Sequence, residues 1–127
     1  MRTRPSLLLG LCATLVTVGL VACGSSSSTS STATTVPGAG TLAVTAKSFS
    51  FTPKEIDVKA GSTATLSLHS TDLAHDFTVK ELNIHVAVQG GKTTSKPITF
   101  DKPGRYTFYC SVAGHRDAGM EGMLVVQ

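Results

Sequence analysis

Arg105-Tyr-Thr-Phe-Tyr-Cys110-Ser-Val-Ala-Gly-His115-Arg-Asp-Ala-Gly-Met120-Glu-Gly-Met-Leu-Val-Val126 holds two strand-like runs and the loop that joins them. Successive side chains of a strand point to opposite faces, so Tyr106, Phe108 and Cys110 share one face while Arg105, Thr107 and Tyr109 share the other. The thiol ends an apolar row and points inward. Beyond the loop, Met120, Gly122, Leu124 and Val126 form a wholly apolar row, and Glu121, Met123, Val125 and Gln127 a mixed one. Met123 therefore reads as packing.

Outward from this pair, short alternating runs recur every eight to twelve residues from about Thr41 onward, the pattern of an all-β sandwich. Thr41–Ala46, Ile56–Lys59, Ser62–His69, His75–Lys80, Thr93–Phe100, Arg105–Cys110 and Gly122–Val126 are the predicted strands. Ala60-Gly61, Gly90-Gly91 and Asp101-Lys-Pro-Gly104 supply turns between them. No amphipathic helix and no internal repeat is visible. The predicted domain spans 41–127, small enough that its core alone is marginal and a bound ion would add stability.

The loop carries Cys110, His115 and Met120 with four residues in each gap. A thiolate, an imidazole and a thioether, joined by a second imidazole from elsewhere, make a trigonal His2Cys copper site with a weak axial sulfur. Zinc fits less well, because its sites fill four positions with Cys, His or carboxylate. The second imidazole is assigned to His75, which shares strand parity with Phe77 and Val79 and so also faces the interior. His69 and His85 read as structural or solvent-facing. Four histidines in all exclude the additional trinuclear cluster of a multicopper oxidase.

The other end of the chain has a different character. Arg2 and Arg4 precede an apolar run from Leu7 to about Ala22, too short to span a bilayer and patterned as a secretory signal over 1–22. Leu20-Val-Ala-Cys23 resembles the lipobox of bacterial lipoproteins, which implies lipid on the Cys23 sulfur and a membrane anchor outside the cytoplasm. Cys12 lies in the signal, leaving Cys110 unpaired in an oxidising compartment where structural cysteines come in bonded pairs. Metal ligation accounts for keeping it reduced. Residues 24–40, mostly Ser, Thr, Ala and Gly, read as a flexible tether with a reach of roughly 20 to 25 Å. With Arg2 and Arg4 set aside, nine Lys and Arg face eight Asp and Glu. That near-neutral balance, without a basic cluster, argues against nucleic acid.

Phe108-Tyr-Cys110, Gly114-His115, Gly119-Met120 and Gly122 with its apolar strand resemble the loop of the cupredoxins, the blue-copper electron carriers. The spacing is most similar to the rusticyanin and sulfocyanin type. The resemblance covers roughly 41–127 and implies a Greek-key β-sandwich and one copper ion held by His75, Cys110, His115 and Met120. Where relatives often carry Asn or Ser after the first His, this chain has Asp76, whose carboxylate is expected to accept from Ser111 or nearby loop N–H groups. Cytochrome oxidase subunit II is also similar, but its dinuclear site needs a second Cys where Gly114 stands. The implied role is a non-enzymatic, monomeric carrier of single electrons between redox partners met transiently. The port would be His115, rimmed by Leu73, Ala74, Val112, Ala113 and Ala118. A copper capture or delivery protein using the same ligands is the alternative. A metal-free interaction module would tolerate Cys110→Ser.

Overall fold

The computed structural model describes Thr34–Val36 and residues 40–127. The predicted signal, Cys23 and most of the tether lie outside the described residues. Among the described residues ten strands form two sheets: β1 (Thr34–Val36), β2 (Thr41–Lys47), β3 (Ser50–Thr52), β4 (Glu55–Val58), β5 (Ser62–Ser70), β6 (His75–Val79), β7 (Ile84–Val88), β8 (Thr93–Phe100), β9 (Gly104–Tyr109) and β10 (Glu121–Val126). One sheet runs β1-β4-β10-β9-β6-β7 and the other β3-β2-β5-β8. The all-β, two-sheet architecture is the one the alternation predicts. All seven predicted strands are present with ends within one residue of expectation.

Three strands have no counterpart in the sequence reading. β1 pairs in parallel with β4 inside the stretch whose composition suggested only a tether. β3 is three residues long and returns along β2. β7 pairs antiparallel with β6, placing Val88 opposite His75 and His85 opposite Thr78.

The alternation does its expected work in packing. β2 buries Leu42, Val44 and Ala46, β5 buries Ala64, Leu66 and Leu68, and these meet Phe77, Val79, Phe108, Leu124 and Val126 of the other sheet in one core. At the site end of this core three phenylalanines touch. Phe77 and Phe108 stack with centroids 4.7 Å apart, and Phe51 of β3 sets its edge against Phe108 at 5.3 Å and Phe77 at 6.2 Å. Phe77 lies two residues after His75 and Phe108 two before Cys110. The cluster therefore fixes the strands that carry both side chains, one buried aromatic pair beyond area burial contributing about 0.5–1.5 kcal/mol.

Candidate metal centre

Cys110 follows β9, His75 opens β6, and β6 and β9 are sheet neighbours joined at Thr78 and Tyr109. His115 comes from the loop between β9 and β10. That loop is closed by its own backbone: Cys110 donates its N–H to the Met120 carbonyl (3.1 Å), and Met120 donates to the His115 carbonyl (3.0 Å). Gly114 and Gly119, at φ of 79° and 93°, adopt the left-handed turns this needs. Arg116 braces the loop from outside, its guanidinium 4.0 Å from the centroid of the Tyr109 ring and its Nε 3.3 Å from Glu121.

His75, Cys110 and His115 converge with one ligand atom each, all within 4.8 Å of one another. Nδ1 of His75 and Nδ1 of His115 are 3.2 Å apart, and they lie 3.9 and 3.5 Å from Cys110 Sγ. Metal–nitrogen bonds of about 2.0 Å and metal–sulfur bonds of about 2.3 Å, spread near 120°, would separate such donors by about 3.5 to 3.7 Å. The three atoms are therefore spaced to share one ion. Met120 is wholly buried and its backbone is bonded at once to Cys110 and His115. His69 and His85 stand apart from the cluster, each with Nδ1 3.0 Å from a threonine hydroxyl, Thr93 and Thr78 respectively.

The surroundings orient the donors. Cys110 is fully buried, and desolvation pushes its thiol pKa up; amide N–H groups of Asp76 and Val112 oppose this, and the Asp76 carboxylate adds to it. The Asp76 N–H reaches Sγ at 3.4 Å. Asp76, itself 4% exposed, accepts from the Ser111 N–H (2.8 Å), the Ser111 hydroxyl (2.7 Å) and the Thr78 hydroxyl (2.8 Å). It thereby ties β6 to the residue after Cys110.

Two contacts had no place in the sequence reading. His75 Nε2 lies 2.9 Å from Asp72 Oδ1. Hydrogen bonds from the Ser48 side chain, His75, and the Leu73 and Ser48 amides hold that carboxyl well below the usual carboxylate range. Phe49 presents its ring edge to His115 with centroids 5.4 Å apart. Asp72 precedes His75 by only three residues, but nothing in the sequence places the two side chains together, and nothing marks Phe49. Phe49, Leu73 and Val112 are the exposed large hydrophobic residues among those described, at 48%, 55% and 37%.

Comparison with known proteins gives this geometry its family. A family model described as a cupredoxin-like domain matches residues 13–126, and the chain belongs to that family. A chloroplastic plastocyanin from Physcomitrium patens is 33% identical over 86 residues, covering 60% of this chain and 49% of that protein. The chain thus spans about half the length of this curated relative. Auracyanin A, a blue copper protein from Chloroflexus aurantiacus, superposes with a TM-score of 0.59 at 21% identity, over 72% of this chain and all of that one. The metal-binding domain of the Cu(I)-exporting ATPase CopA from Streptococcus pneumoniae superposes with a TM-score of 0.60 at 15% identity, over 76% and 98%. At such identities the structural likenesses speak for the fold. Family membership and the convergence of His75, Cys110 and His115 together support one copper ion as cofactor.

Proposed function

We propose that this cupredoxin-like chain carries single electrons between redox partners outside the cytoplasm, with copper held by His75, Cys110, His115 and Met120. The observation that carries this reading is the approach of two imidazole Nδ1 atoms and one buried thiol sulfur to within 3.2–3.9 Å of each other. When bound, copper would supply a one-electron Cu(II)/Cu(I) couple among the two imidazoles, the thiolate and the thioether. The chain's residues supply the rest. Cys110 gives up its proton on loading, and the amide N–H groups of Asp76 and Val112 face the resulting thiolate. The phenylalanine cluster and the Asp76 bonds fix the strands and the loop that carry the donors, which would leave little to move when an electron passes.

His115 is the donor that reaches the surface. Phe49, Leu73 and Val112 give that end of the molecule an apolar character suited to a small, short-lived redox contact of under about 1,200 Å². The equal gaps around His115 favour the rusticyanin and sulfocyanin type. The lipobox-like Leu20-Val-Ala-Cys23 and the Ser/Thr-rich stretch after it support a monomer tethered to the membrane by lipid on Cys23. Passing an electron requires no bound substrate, so the role is not enzymatic.

Absorption and electron spin resonance of the copper-loaded protein, beside Cys110→Ser, test this. The expected result is intense thiolate-to-copper absorption in the visible, with narrow copper hyperfine splitting, both lost in the variant. A colourless Cu(I) complex that exchanges readily would instead assign the site to copper capture or delivery. Indifference to copper and to Cys110→Ser would leave a metal-free interaction module.

A further inference from the structure

Asp72 stands outside the donor set yet touches it. Its carboxylate receives three hydrogen bonds, Oδ1 from the Leu73 N–H at 2.7 Å and Oδ2 from the Ser48 N–H at 2.7 Å and the Ser48 hydroxyl, and Oδ1 also faces His75 Nε2 at 2.9 Å. An ionised carboxylate held by three donors acts as acceptor only. Nε2 of His75 must therefore carry the ring proton, which leaves the Nδ1 lone pair directed at Cys110 and His115. The His75 side chain is completely buried, so no water competes for Nε2, while the Asp72 side chain is only about a quarter exposed.

The partner that holds Asp72 comes from the other sheet. Ser48 and Phe49 form the turn between β2 and β3, with Phe49 at φ 65°. One residue of this turn secures the carboxylate behind His75, and the next lays its ring against His115. On the far side, a side chain at Gly90 would collide with the Asp72 carbonyl, so the β7–β8 turn is pressed against the same backbone.

Resting on the copper reading above, we propose that Asp72 is a positioning residue that locks His75 in the Nε2–H tautomer and biases the site toward Cu(II), with the Ser48–Phe49 turn as its anchor. The tautomer lock follows from an acceptor-only partner on Nε2. The bias follows from a fixed negative charge one imidazole ring away from the donor cluster. A carboxylate hydrogen-bonded to the outer nitrogen also raises the basicity of the inner one, and both effects favour the more highly charged ion.

Two measurements test it. In the metal-free parent, at a pH well above the ordinary imidazole range, long-range proton–nitrogen correlation should find His75 as the Nε2–H tautomer, and Asp72→Ala should convert it to a mixture. In the copper-loaded protein, Asp72→Asn keeps an acceptor oxygen and removes the charge. It should raise the ratio of Cu(I) to Cu(II) affinity about tenfold, equivalent to a rise of about 59 mV for one electron. Asp72→Glu, which restores the charge, should recover most of that shift. An Nδ1–H tautomer in the parent, an unchanged tautomer in Asp72→Ala, or an Asp72→Asn potential equivalent to less than a twofold change would each overturn the proposal. The tautomer measurement needs no copper, so failure of the copper reading and failure of the Asp72 assignment give different results.

Discussion

Asp76→Ala should cost the metal-free protein about 2–4 kcal/mol, less than the sum of the three hydrogen bonds it removes. Asp76 is 4% exposed and accepts three hydrogen bonds from neutral donors, at 2.7–2.8 Å. Bonds to a charged acceptor contribute about 1.5–3 kcal/mol each, which taken naively gives a larger total. Three features reduce it. The Thr78 hydroxyl can turn fully to His85 Nδ1, already 3.0 Å away, and the Ser111 hydroxyl lies on an exposed residue that water reaches. Removing a buried carboxylate also recovers its desolvation cost, since no cation pairs with it among the described residues. What remains is the Ser111 N–H left without its acceptor, and the loss of the link between β6 and the loop carrying the thiol. Asp76→Asn keeps one acceptor oxygen and should lose about 1 kcal/mol. Urea unfolding of the metal-free protein, followed by far-ultraviolet circular dichroism, measures the series; Asp101→Ala at an exposed position should stay within about 0.5 kcal/mol of the parent. A loss below 1 kcal/mol in Asp76→Ala, or equal losses in the Ala and Asn variants, would refute the view that this carboxylate braces the ligand loop.

The pH dependence of copper loading has a definite sign. The buried Cys110 thiol is protonated up to a raised pKa, so binding displaces one proton and the apparent affinity should rise about tenfold per pH unit until that pKa is passed; competition against a chelator at several pH values measures it. For the metal-free fold the same shift acts oppositely. Its contribution is fully present below the unfolded thiol's pKa and is lost as pH rises through the folded value, which unfolding across the alkaline range will register. Gly122→Ala should destabilise by at least about 1–3 kcal/mol, because a Cβ there would strike the Phe108 ring and lie 2.5 Å from the Lys54 carbonyl; thermal unfolding checks this. Met120→Leu preserves volume in a fully buried position and should cost under about 1.5 kcal/mol, retain copper and raise the potential, whereas a lowered potential would remove Met120 from the axial role.

Strand parity made the interior legible because it depends on the nearest neighbours alone. Phe108 and Cys110 alternate inward as their spacing requires, and Phe77 and His75 do the same on the adjacent strand. The loop was legible for a related reason: Cys110, His115 and Met120 sit within eleven residues, and glycines at 114 and 119 supply the turns that fold them back on one another. Parity also put Asp76 on the face opposite the core, and it is buried nonetheless, because the ligand loop folds over that face and covers it with Ser111. What escaped the sequence depends on chain that is distant or irregular. β3 is too short to display alternation, and Phe49 reaches His115 only because the β2–β3 turn adopts a positive φ that its residues do not advertise. Asp72 is near His75 in sequence, but three residues of non-helical chain do not place two side chains together; Ser48, twenty-four residues earlier, does so by holding Oδ2 while Oδ1 faces the ring. The donors thus come from two neighbouring strands and one loop of a single sheet, while Ser48, which anchors Asp72 behind His75, and Phe49, which lies against His115, come from the opposite sheet's turn. Substitutions at 48 and 49 should therefore disturb a site they never enter.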